Sequence, residues 1–320
     1  MWGISPSKEV KIAIRGYGNH AKRIEQILKL NKEIEIYQIS RNFLSNEIKE
    51  NTKGIIICSP NFTHKKYIYK SLKYNPDLPI YCEKPILNNS ENYEDIVKFI
   101  KTGKVFPGFN LRRSLIRELI KKYKEKLGNT KSLSINISYP FGLKKSYLNS
   151  WKSNFELSSL GVMENLTIHF LDFAYYIFGE DEQRSIILSD FLNSVPRNCD
   201  ILLKHKNGSI TSIHNSYSEV VNSKLVLNFD HGRVVINDDG YSIYSPTLNL
   251  DVEKDFCLAS PLIASSKKNF DDFFAESLKN SVELFTQKIK KGKLVYMDDS
   301  FSTTMLTLKA IRETFNKYSI

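Results

Sequence analysis

Apolar positions in the first third of the chain follow two alternating periods. Short apolar or alternating runs cover residues 10–14, 34–39, 54–58, 79–82 and 105–106, and apolar residues recur at helical spacing between them, as at 24, 27 and 28. The 54–58 run is continuously apolar, which is typical of a strand buried on both faces. Strands that alternate with helices predict a doubly wound parallel sheet of the α/β class.

The pattern changes after about residue 109. Helical spacing predicts helices over 115–127, 166–178, 270–289 and 300–317, with glycines directly after the first two. Alternation predicts a strand over 132–139, and strand pairs flank Asn207-Gly208, a typical hairpin turn, and His231-Gly232. The second half therefore predicts an α+β domain with an antiparallel sheet. We place the domains at residues 1–112 and 113–320.

A glycine-rich turn, Gly16-Tyr17-Gly18-Asn19-His20-Ala21, follows the first predicted strand and precedes the first predicted helix. Gly16 permits a tight turn, and Gly18 lets backbone N–H groups approach a pyrophosphate closely. The N-terminus of the helix then stabilises the negative charge of the phosphates. In this strand–turn–helix context the turn predicts a dinucleotide site, and the alternative is a tight turn without a ligand.

A second signal, Glu83-Lys84-Pro85, ends the 79–82 run. The carboxyl ends of parallel strands meet at one edge of a sheet, so Lys84 is predicted to lie where the nicotinamide of a bound cofactor would lie. Hydride transfer at a carbinol carbon needs a partner for the hydroxyl proton, and a lysine whose pKa is lowered by burial can serve. The alternative for Lys84 is an ordinary surface lysine.

The end of the second strand bears on the choice of cofactor. The residues there are Ser40-Arg41-Asn42, without the acid that usually holds the ribose hydroxyls of NAD. Ser40 and Arg41 are suited to a 2′-phosphate, which favours NADP(H). The alternative is that Arg41 is solvated and that NAD(H) binds without a carboxylate.

Composition excludes several classes of function. The net charge is +11, but the lysines are spread along the chain and accompany no nucleic-acid-binding module, so we expect no nucleic-acid partner. No apolar stretch approaches ~18 residues and the N-terminus lacks a signal-peptide pattern, so we expect a cytoplasmic protein without a membrane partner. The six histidines show no local ligand spacing, so we expect no metal.

Taken together, these motifs resemble those of the Gfo/Idh/MocA oxidoreductase family over nearly the full length. The resemblance implies a Rossmann dinucleotide-binding domain at 1–112 and, at 113–320, a substrate-binding and oligomerisation domain with an open, mostly antiparallel sheet. The residues that carry it are Gly16 to Ala21, Ser59 to His64, Glu83 to Pro85, Gly108 to Arg112, Trp151, and Gly161 to Asp172.

The resemblance also implies roles for individual residues. Lys84 would bind the substrate hydroxyl and help to move its proton, His169 would act as general acid–base, and the Lys84-Pro85 peptide would be cis. The predicted cofactor-binding residues are Gly16, Tyr17, Gly18, Asn19, His20, Ser40, Arg41, Ser59, Pro60, Asn61, His64 and Glu83. The predicted substrate-binding residues are Lys84, Arg112, Tyr147, Trp151, Asn165 and His169.

The predicted helix around His169 departs from the family pattern. Asn165, His169 and Asp172 share one helical face, and this polar stripe predicts either catalysis or a satisfied structural network. The family has an acid four residues before the histidine and a glycine two before it, where this chain has Asn165 and Thr167. Glu164 is acidic, but in an α-helix it points roughly 100° away from Asn165.

The sequence thus predicts an NAD(P)-dependent oxidoreductase that transfers a hydride between its cofactor and a secondary alcohol or ketone of a sugar derivative. The positive charge slightly favours a nucleotide sugar or acidic sugar. The alternative is a non-enzymatic dinucleotide sensor, which the altered helix favours. We also expect a homo-oligomer, a dimer or tetramer, because the exposed face of an open sheet needs covering.

Overall fold

The computed structural model describes residues 10–40, 47–87, 94–245, 262–292 and 300–318. These residues form two compact units. The first contains the described chain up to Asn110 together with Leu278–Phe315, and the second contains Leu111–Ser277 and residues 316–318. The division therefore differs from a single boundary after residue 112, because the chain returns to the first unit at Leu278.

The sheet of the first unit is parallel throughout, as the sequence predicted. Its strand order is β2-β1-β3-β4-β5. Its strands are β1 Val10–Arg15, β2 Ile34–Gln38, β3 Thr52–Ile57, β4 Ile80–Glu83 and β5 Val105–Gly108. The helices that begin in this part of the chain are α1 Asn19–Lys29, α2 His64–Tyr74 and α3 Glu94–Lys101.

The central strand β3 explains the two-sided burial. Ile55 and Ile57 pack into one apolar cluster, whereas Ile56 packs into the other, because successive side chains of a strand point to opposite faces. All three are fully buried, and each such side chain contributes roughly 1.5–3 kcal/mol. The returning C-terminal chain joins both clusters: Phe285 packs with Ile56, and Leu308 packs with Ile55 and Ile57.

The second unit contains an eight-stranded sheet of order β13-β12-β11-β10-β6-β9-β8-β7. All its described strand pairs are antiparallel except β6 with β9, so the predicted mostly antiparallel sheet is confirmed. The strands are β6 Thr130–Ser138, β7 Asp181–Leu192, β8 Val195–His205, β9 Ile210–Ser216, β10 Asn222–Phe229, β11 Gly232–Asn237, β12 Gly240–Tyr244 and β13 Leu262–Ser266. The remaining helices are α4 Leu115–Leu127, α5 Lys145–Leu148, α6 Ile168–Phe178, α7 Phe270–Lys290 and α8 Ser300–Tyr318.

The helix predicted over 166–178 is composite. Residues Met163–Thr167 form a π-turn, in which the N–H of Ile168 donates to the carbonyl of Met163, and regular α6 begins only at Ile168. The helix ends at Gly179 as predicted, where the backbone has φ +76°. Across the described ranges we find no helix of the length and apolarity that crossing a membrane requires.

Candidate active site

The glycine-rich turn joins β1 to α1 at the carboxyl edge of the parallel sheet. A Cβ atom at Gly16 would lie 2.7 Å from both the carbonyl oxygen and the Sγ of Cys58, so this position requires glycine for packing. A Cβ atom at Gly18 would meet no atom within 4 Å, so the space in front of α1 is open. The first turn of α1 carries no acid and no side-chain cap, which suits a pyrophosphate at the helix N-terminus.

The neighbouring residues of this turn contact two other strand ends. The hydroxyl of Tyr17 donates to the carbonyl of Ile39 at the end of β2, at 2.5 Å. Nε2 of His20 lies 2.9 Å from Oε1 of Glu83, at the end of β4. Asn19 and His20 open helix α1 itself. The turn is therefore held at the edge where β1, β2 and β4 end.

An acid that the sequence analysis missed lies at the end of β2. The carboxylate of Glu47 accepts hydrogen bonds from the backbone N–H of Ser40, at 2.8 Å, and from its hydroxyl, at 2.6 Å. Arg41 lies outside the described residues. The expectation that no acid lies at the end of β2 is therefore wrong. The acid, Glu47, is seven positions after Ser40 in the sequence, which is too far along the chain for a strand-end motif to include it.

The second predicted cofactor turn, Ser59 to His64, is a compact hydrogen-bonded loop. The hydroxyls of Ser59 and Thr63 are 2.7 Å apart, and the Thr63 hydroxyl donates to the carbonyl of Pro60. His64 is buried, with Nδ1 2.6 Å from the carbonyl oxygen of Pro85 and Nε2 2.8 Å from that of Ser59. Burial lowers the pKa of His64. His64 therefore ties this loop to the segment that carries Lys84, and its predicted contact with the cofactor stays a prediction.

Asn61 and Glu83 present polar groups at the ends of the neighbouring strands β3 and β4. Asn61 is 2% exposed, and its Nδ2 has no hydrogen-bond partner among the described residues. Burial opposes ionisation of Glu83, but His20, Lys84 and Tyr81 together outweigh burial and lower the pKa of this carboxyl. The hydroxyl of Tyr81 donates to Glu83 Oε1 at 3.2 Å. Glu83 is therefore an oriented carboxylate, and it precedes Lys84, which is half-buried and joined to Pro85 by a cis peptide bond.

The second unit carries His169 on helix α6. The His169 ring is 7% exposed and meets Phe274 edge to face, with ring centroids 5.1 Å apart. Asp172, one turn later, forms a buried two-point ion pair with Arg112: Nε donates to Oδ2 at 2.7 Å and Nη2 donates to Oδ1. Arg112, predicted to bind substrate, is thus held by Asp172, and the sequence hypothesis of a structural partner for Asp172 accounts for this pair.

The π-turn changes where the acid before His169 points. Asn165 Nδ2 donates to the hydroxyl of Ser158 and to the carbonyl of Gly161, both at 2.8 Å. Glu164 is completely buried. A π-turn closes its hydrogen bond over five residues in place of four, so α-helical spacing does not give the direction of Glu164. The angle of roughly 100° between Glu164 and Asn165, which assumes an α-helix, therefore does not apply here.

Tyr147 belongs to a cluster of aromatic rings, and Trp151 begins the short 3-10 helix that follows in the chain. We define this aromatic cluster as Tyr139, Phe141, Tyr147 and Tyr217, whose ring centroids are 5.2–6.2 Å apart in the described pairs. Burial raises the pKa of Tyr147 to about 12, with Arg197 opposing and Glu164 adding to the rise. The Tyr147 hydroxyl is buried without a hydrogen-bond partner among the described residues. The cluster therefore presents one unmatched polar atom close to Glu164.

No group of three or more His, Cys, Asp or Glu side chains suited to a metal ion occurs in the described part of the chain. The predicted residues fall into two sets. The cofactor set and Lys84 belong to the first unit, and the remaining substrate residues with His169 belong to the second.

Two family models match the chain. Residues 10–108 match the oxidoreductase family with an NAD-binding Rossmann fold, and residues 115–235 match the GFO/IDH/MocA C-terminal domain.

Two curated relatives are similar to parts of the chain. Glucose-6-phosphate 3-dehydrogenase of Bacillus subtilis (strain 168) is 26% identical over 143 residues, which cover 42% of this chain and 39% of the relative. Myo-inositol 2-dehydrogenase of Thermotoga maritima is 24% identical over 177 residues, which cover 52% of this chain and 50% of the relative. The chain thus matches half or less of the length of these relatives.

Solved structures match over nearly the whole chain. Levoglucosan dehydrogenase in complex with NADH and L-sorbose has a TM-score of 0.75 at 16% identity and covers 97% of each chain. An oxidoreductase from Agrobacterium radiobacter in complex with NAD+, L-tartaric acid and magnesium has a TM-score of 0.74 at 15% identity, covering 97% of this chain and 96% of its own. At these identities the likeness shows the fold.

Proposed function

Since this chain belongs to the Gfo/Idh/MocA family of oxidoreductases, we propose that it is an NAD(P)-dependent dehydrogenase acting on a secondary alcohol of a sugar or sugar derivative. The observation that carries the proposal is the open space at Gly18, in front of a helix N-terminus that carries neither an acid nor a side-chain cap. Glu83 and Lys84 end a strand at the same sheet edge. The curated relatives, which are named for a sugar phosphate and for an inositol, support a polyhydroxylated substrate.

The proposed chemistry separates a hydride from a proton. When bound, the nicotinamide ring supplies the acceptor or donor of the hydride. Lys84 accepts the proton of the substrate hydroxyl at Nζ during oxidation and returns it during reduction, and His169 acts as the second acid–base group. Glu83, whose pKa is lowered by His20, Lys84 and Tyr81 against the effect of burial, would orient the nicotinamide ribose. Asn19 and the Ser59–Asn61 turn complete the proposed cofactor contacts.

We propose NAD(H) as the preferred cofactor, contrary to the preference inferred from Ser40 and Arg41 alone. Ser40 already donates both its N–H and its hydroxyl to Glu47. The carboxylate of Glu47 would repel a 2′-phosphate placed beside Ser40, whereas it can accept a hydrogen bond from ribose hydroxyls. This reverses the charge argument on which the NADP(H) preference rested.

Parallel fluorescence titrations with NADH and NADPH test the cofactor assignment. We expect NADH to bind at least tenfold more tightly, and we expect Glu47→Gln to narrow that preference by removing the negative charge. The matched control is Glu50→Gln, an exposed acid three residues along the chain, which should leave the preference unchanged. A tighter NADPH complex in the wild type would reject the role of Glu47.

Turnover separates the dehydrogenase from the sensor. With the preferred cofactor and a panel of cyclic polyols and sugars, we expect NADH formation that falls by about 10²–10⁴ in kcat in Lys84→Met. Tight cofactor binding without turnover of any panel member would favour the non-enzymatic sensor. Binding of neither cofactor by a folded sample would reject both assignments.

We further propose that the protein is a homo-oligomer in which a second copy covers the open face of the eight-stranded sheet. Strand register places four exposed apolar side chains on that face, because residues paired across strands share a face. They are Ile187, Phe191, Leu202 and Ile210. Exposed apolar side chains grouped on one face are typical of protein interfaces.

A further inference from the structure

A lysine next to the aromatic cluster has an unusual environment. Lys152 lies in the three-residue 3-10 helix Trp151–Ser153. Its ammonium nitrogen is 5.2 Å from the ring centroid of Phe141 and 5.7 Å from that of Trp151. The residue is half-buried. An ammonium group between two aromatic faces has lost part of its hydration and has gained weak cation–π contacts in return.

Several lysines of the chain pair with a carboxylate, and Lys152 has no such pair within the described ranges. Lys131, for example, pairs with Asp230 at 2.7 Å, and Lys104 pairs with Asp77 at 2.9 Å. No ion pair of Lys152 occurs among the described residues. Burial alone lowers its pKa, without any charged group acting on it. A partly desolvated charge without a counter-charge is costly, and an incoming anion would offset that cost.

The buried acid that acts on the aromatic cluster, Glu164, forms no ion pair with Lys152 in the described part of the chain. Glu164 is completely buried and acts on Tyr147 and Tyr217, raising the pKa of both phenols together with burial. Phe141 links the two regions, since its ring lies 5.2 Å from that of Tyr147 and 5.2 Å from the Lys152 ammonium. Lys152 thus borders the same aromatic cluster as Tyr147, a predicted substrate-binding residue.

We propose that Lys152 binds an acidic group, a carboxylate or a phosphate, carried by the sugar ligand. The half-buried setting strengthens this ion pair, because the aromatic rings keep water away from one side of it. The inference rests on the proposed function only in taking the ligand to be the substrate. It narrows the substrate class from sugars in general to sugars that carry an anionic group.

A structural role for Lys152 makes a different prediction. If the side chain only covers Phe141 and Trp151, its aliphatic stem makes the contacts that matter. Methionine then replaces Lys152 with little change in the affinity for any ligand. If the ammonium binds an anion, methionine keeps the stem but removes binding of charged ligands alone. Arginine keeps the charge, so Lys152→Arg should rescue the effect within a few-fold.

The experiment uses the fluorescence of Trp151, the neighbour of Lys152. Trp2→Phe is made in every sample, because the chain has two tryptophans and Trp151 then provides the whole signal. D-glucose 6-phosphate, D-glucuronate and D-glucose are titrated without cofactor. We expect at least one acidic sugar to bind tenfold or more tightly than glucose, and the identity of that sugar distinguishes phosphate from carboxylate.

The variants decide the role of the charge. Lys152→Met should weaken the acidic sugar at least tenfold and leave glucose unchanged, whereas Lys145→Met, an exposed lysine seven residues earlier, should change neither. Equal binding of all three sugars, absence of binding by both acidic sugars, or equal losses in Lys152→Met for acidic and neutral sugars would each overturn the inference. Binding through Lys152 without NAD(H)-dependent turnover would keep it and reject the dehydrogenase.

Discussion

Gly16 and Gly18 occupy the same motif but are required for different reasons. Gly16 is packed against the backbone of Cys58, at the end of the neighbouring strand β3, so any side chain there collides with the protein itself. Gly18 faces open space and has φ −80° and ψ 179°, a conformation that alanine adopts without strain. Its side chain is therefore limited only by what binds in front of α1.

This difference predicts opposite behaviour of two alanine variants. Gly18→Ala should leave the thermal unfolding temperature within about 2 °C of the wild type, because nothing lies near the new methyl group, yet weaken NADH binding at least tenfold. Gly16→Ala should lower the free energy of unfolding by about 1–3 kcal/mol through overpacking. Thermal unfolding and cofactor titration of both variants check this. Unchanged NADH binding in Gly18→Ala would contradict a pyrophosphate site in front of α1.

His214 gives a pH-dependent prediction. Its Nδ1 lies 2.7 Å from Asp200 and its Nε2 lies 2.9 Å from Glu219, and only the protonated ring can donate to both. Burial opposes the charge, but hydrogen bonds to Glu219 and Asp200 outweigh it and raise the pKa of His214. A raised folded pKa gives stability that is complete below the unfolded value of about 6.5 and is lost as the pH rises through the folded value.

The measurement is the free energy of unfolding of wild type and His214→Gln across pH 5 to 9. We expect the wild type to be more stable by about 0.5–1 kcal/mol below pH 6, a small value because solvent screens the pair. The advantage should shrink above pH 6.5. His231→Gln, at a turn outside this pair, serves as control. An advantage that grew with pH would refute the assignment.

At this scale, local motifs were predictable and long-range contacts were not. The sequence identifies Gly16, Gly18, Glu83 and Lys84 as candidate site residues, because the strand, turn and helix signals around them are adjacent in the chain. Glu47 could not be recognised, because its contact with Ser40 depends on the path of the intervening loop. Residue type alone also could not reveal that Arg112 is held by an acid 60 positions later.

The π-turn before α6 illustrates a limit at the scale of elements. Hydrophobic periodicity predicted the helix and its end at Gly179, but an α-helix and a π-turn of five residues share nearly the same apolar pattern. Strand β7 was missed for a related reason. Its first half, Glu182 to Ser185, is polar, because an edge strand of an open sheet exposes much of its surface.

The buried ion pair between Arg112 and Asp172 joins α6 to the segment after β5. Both side chains are almost inaccessible, at 3% and 0% exposure. Removing one partner leaves a buried charge uncompensated, so Asp172→Asn should lower the free energy of unfolding by about 3–5 kcal/mol. Glu180→Gln, which breaks the exposed pair with Lys206, should cost at most about 1 kcal/mol.

Urea unfolding of these variants measures the difference. The double variant Arg112→Met/Asp172→Leu should recover most of the loss, because apolar side chains of similar size replace a buried pair at little cost. A loss in Asp172→Asn no larger than that in Glu180→Gln would show that Arg112 is not held by Asp172. Arg112 would then be available for the substrate contact that the sequence suggested.

For the whole molecule, the order of elements was predictable but their grouping was not. Residues 270–289 and 300–317 have clear helical spacing, yet nothing local shows that Leu278–Phe315 returns to the first unit. That return follows from apolar side chains such as Val282 and Phe285, which complete a cluster begun by β1 and α1. A single boundary along the sequence cannot describe the two units, because the C-terminal part of the chain packs into the core of the first unit.

The open face of the eight-stranded sheet bears on the assembly of the protein. Leu202 is 55% exposed at the centre of the group formed with Ile187 and Ile210, so a charge there opposes burial by a second copy. Light scattering of the wild type should give a multiple of the 37.0 kDa chain mass, and Leu202→Lys should shift the mass towards one chain. Leu30→Lys, at a 71% exposed position in the first unit, should leave the mass unchanged.

The far-ultraviolet circular dichroism spectra of all three samples must match, because a lysine at an exposed position does not disturb the core. A wild type of one chain mass at micromolar concentration, or equal dissociation by Leu30→Lys, would mean that this face is not the interface.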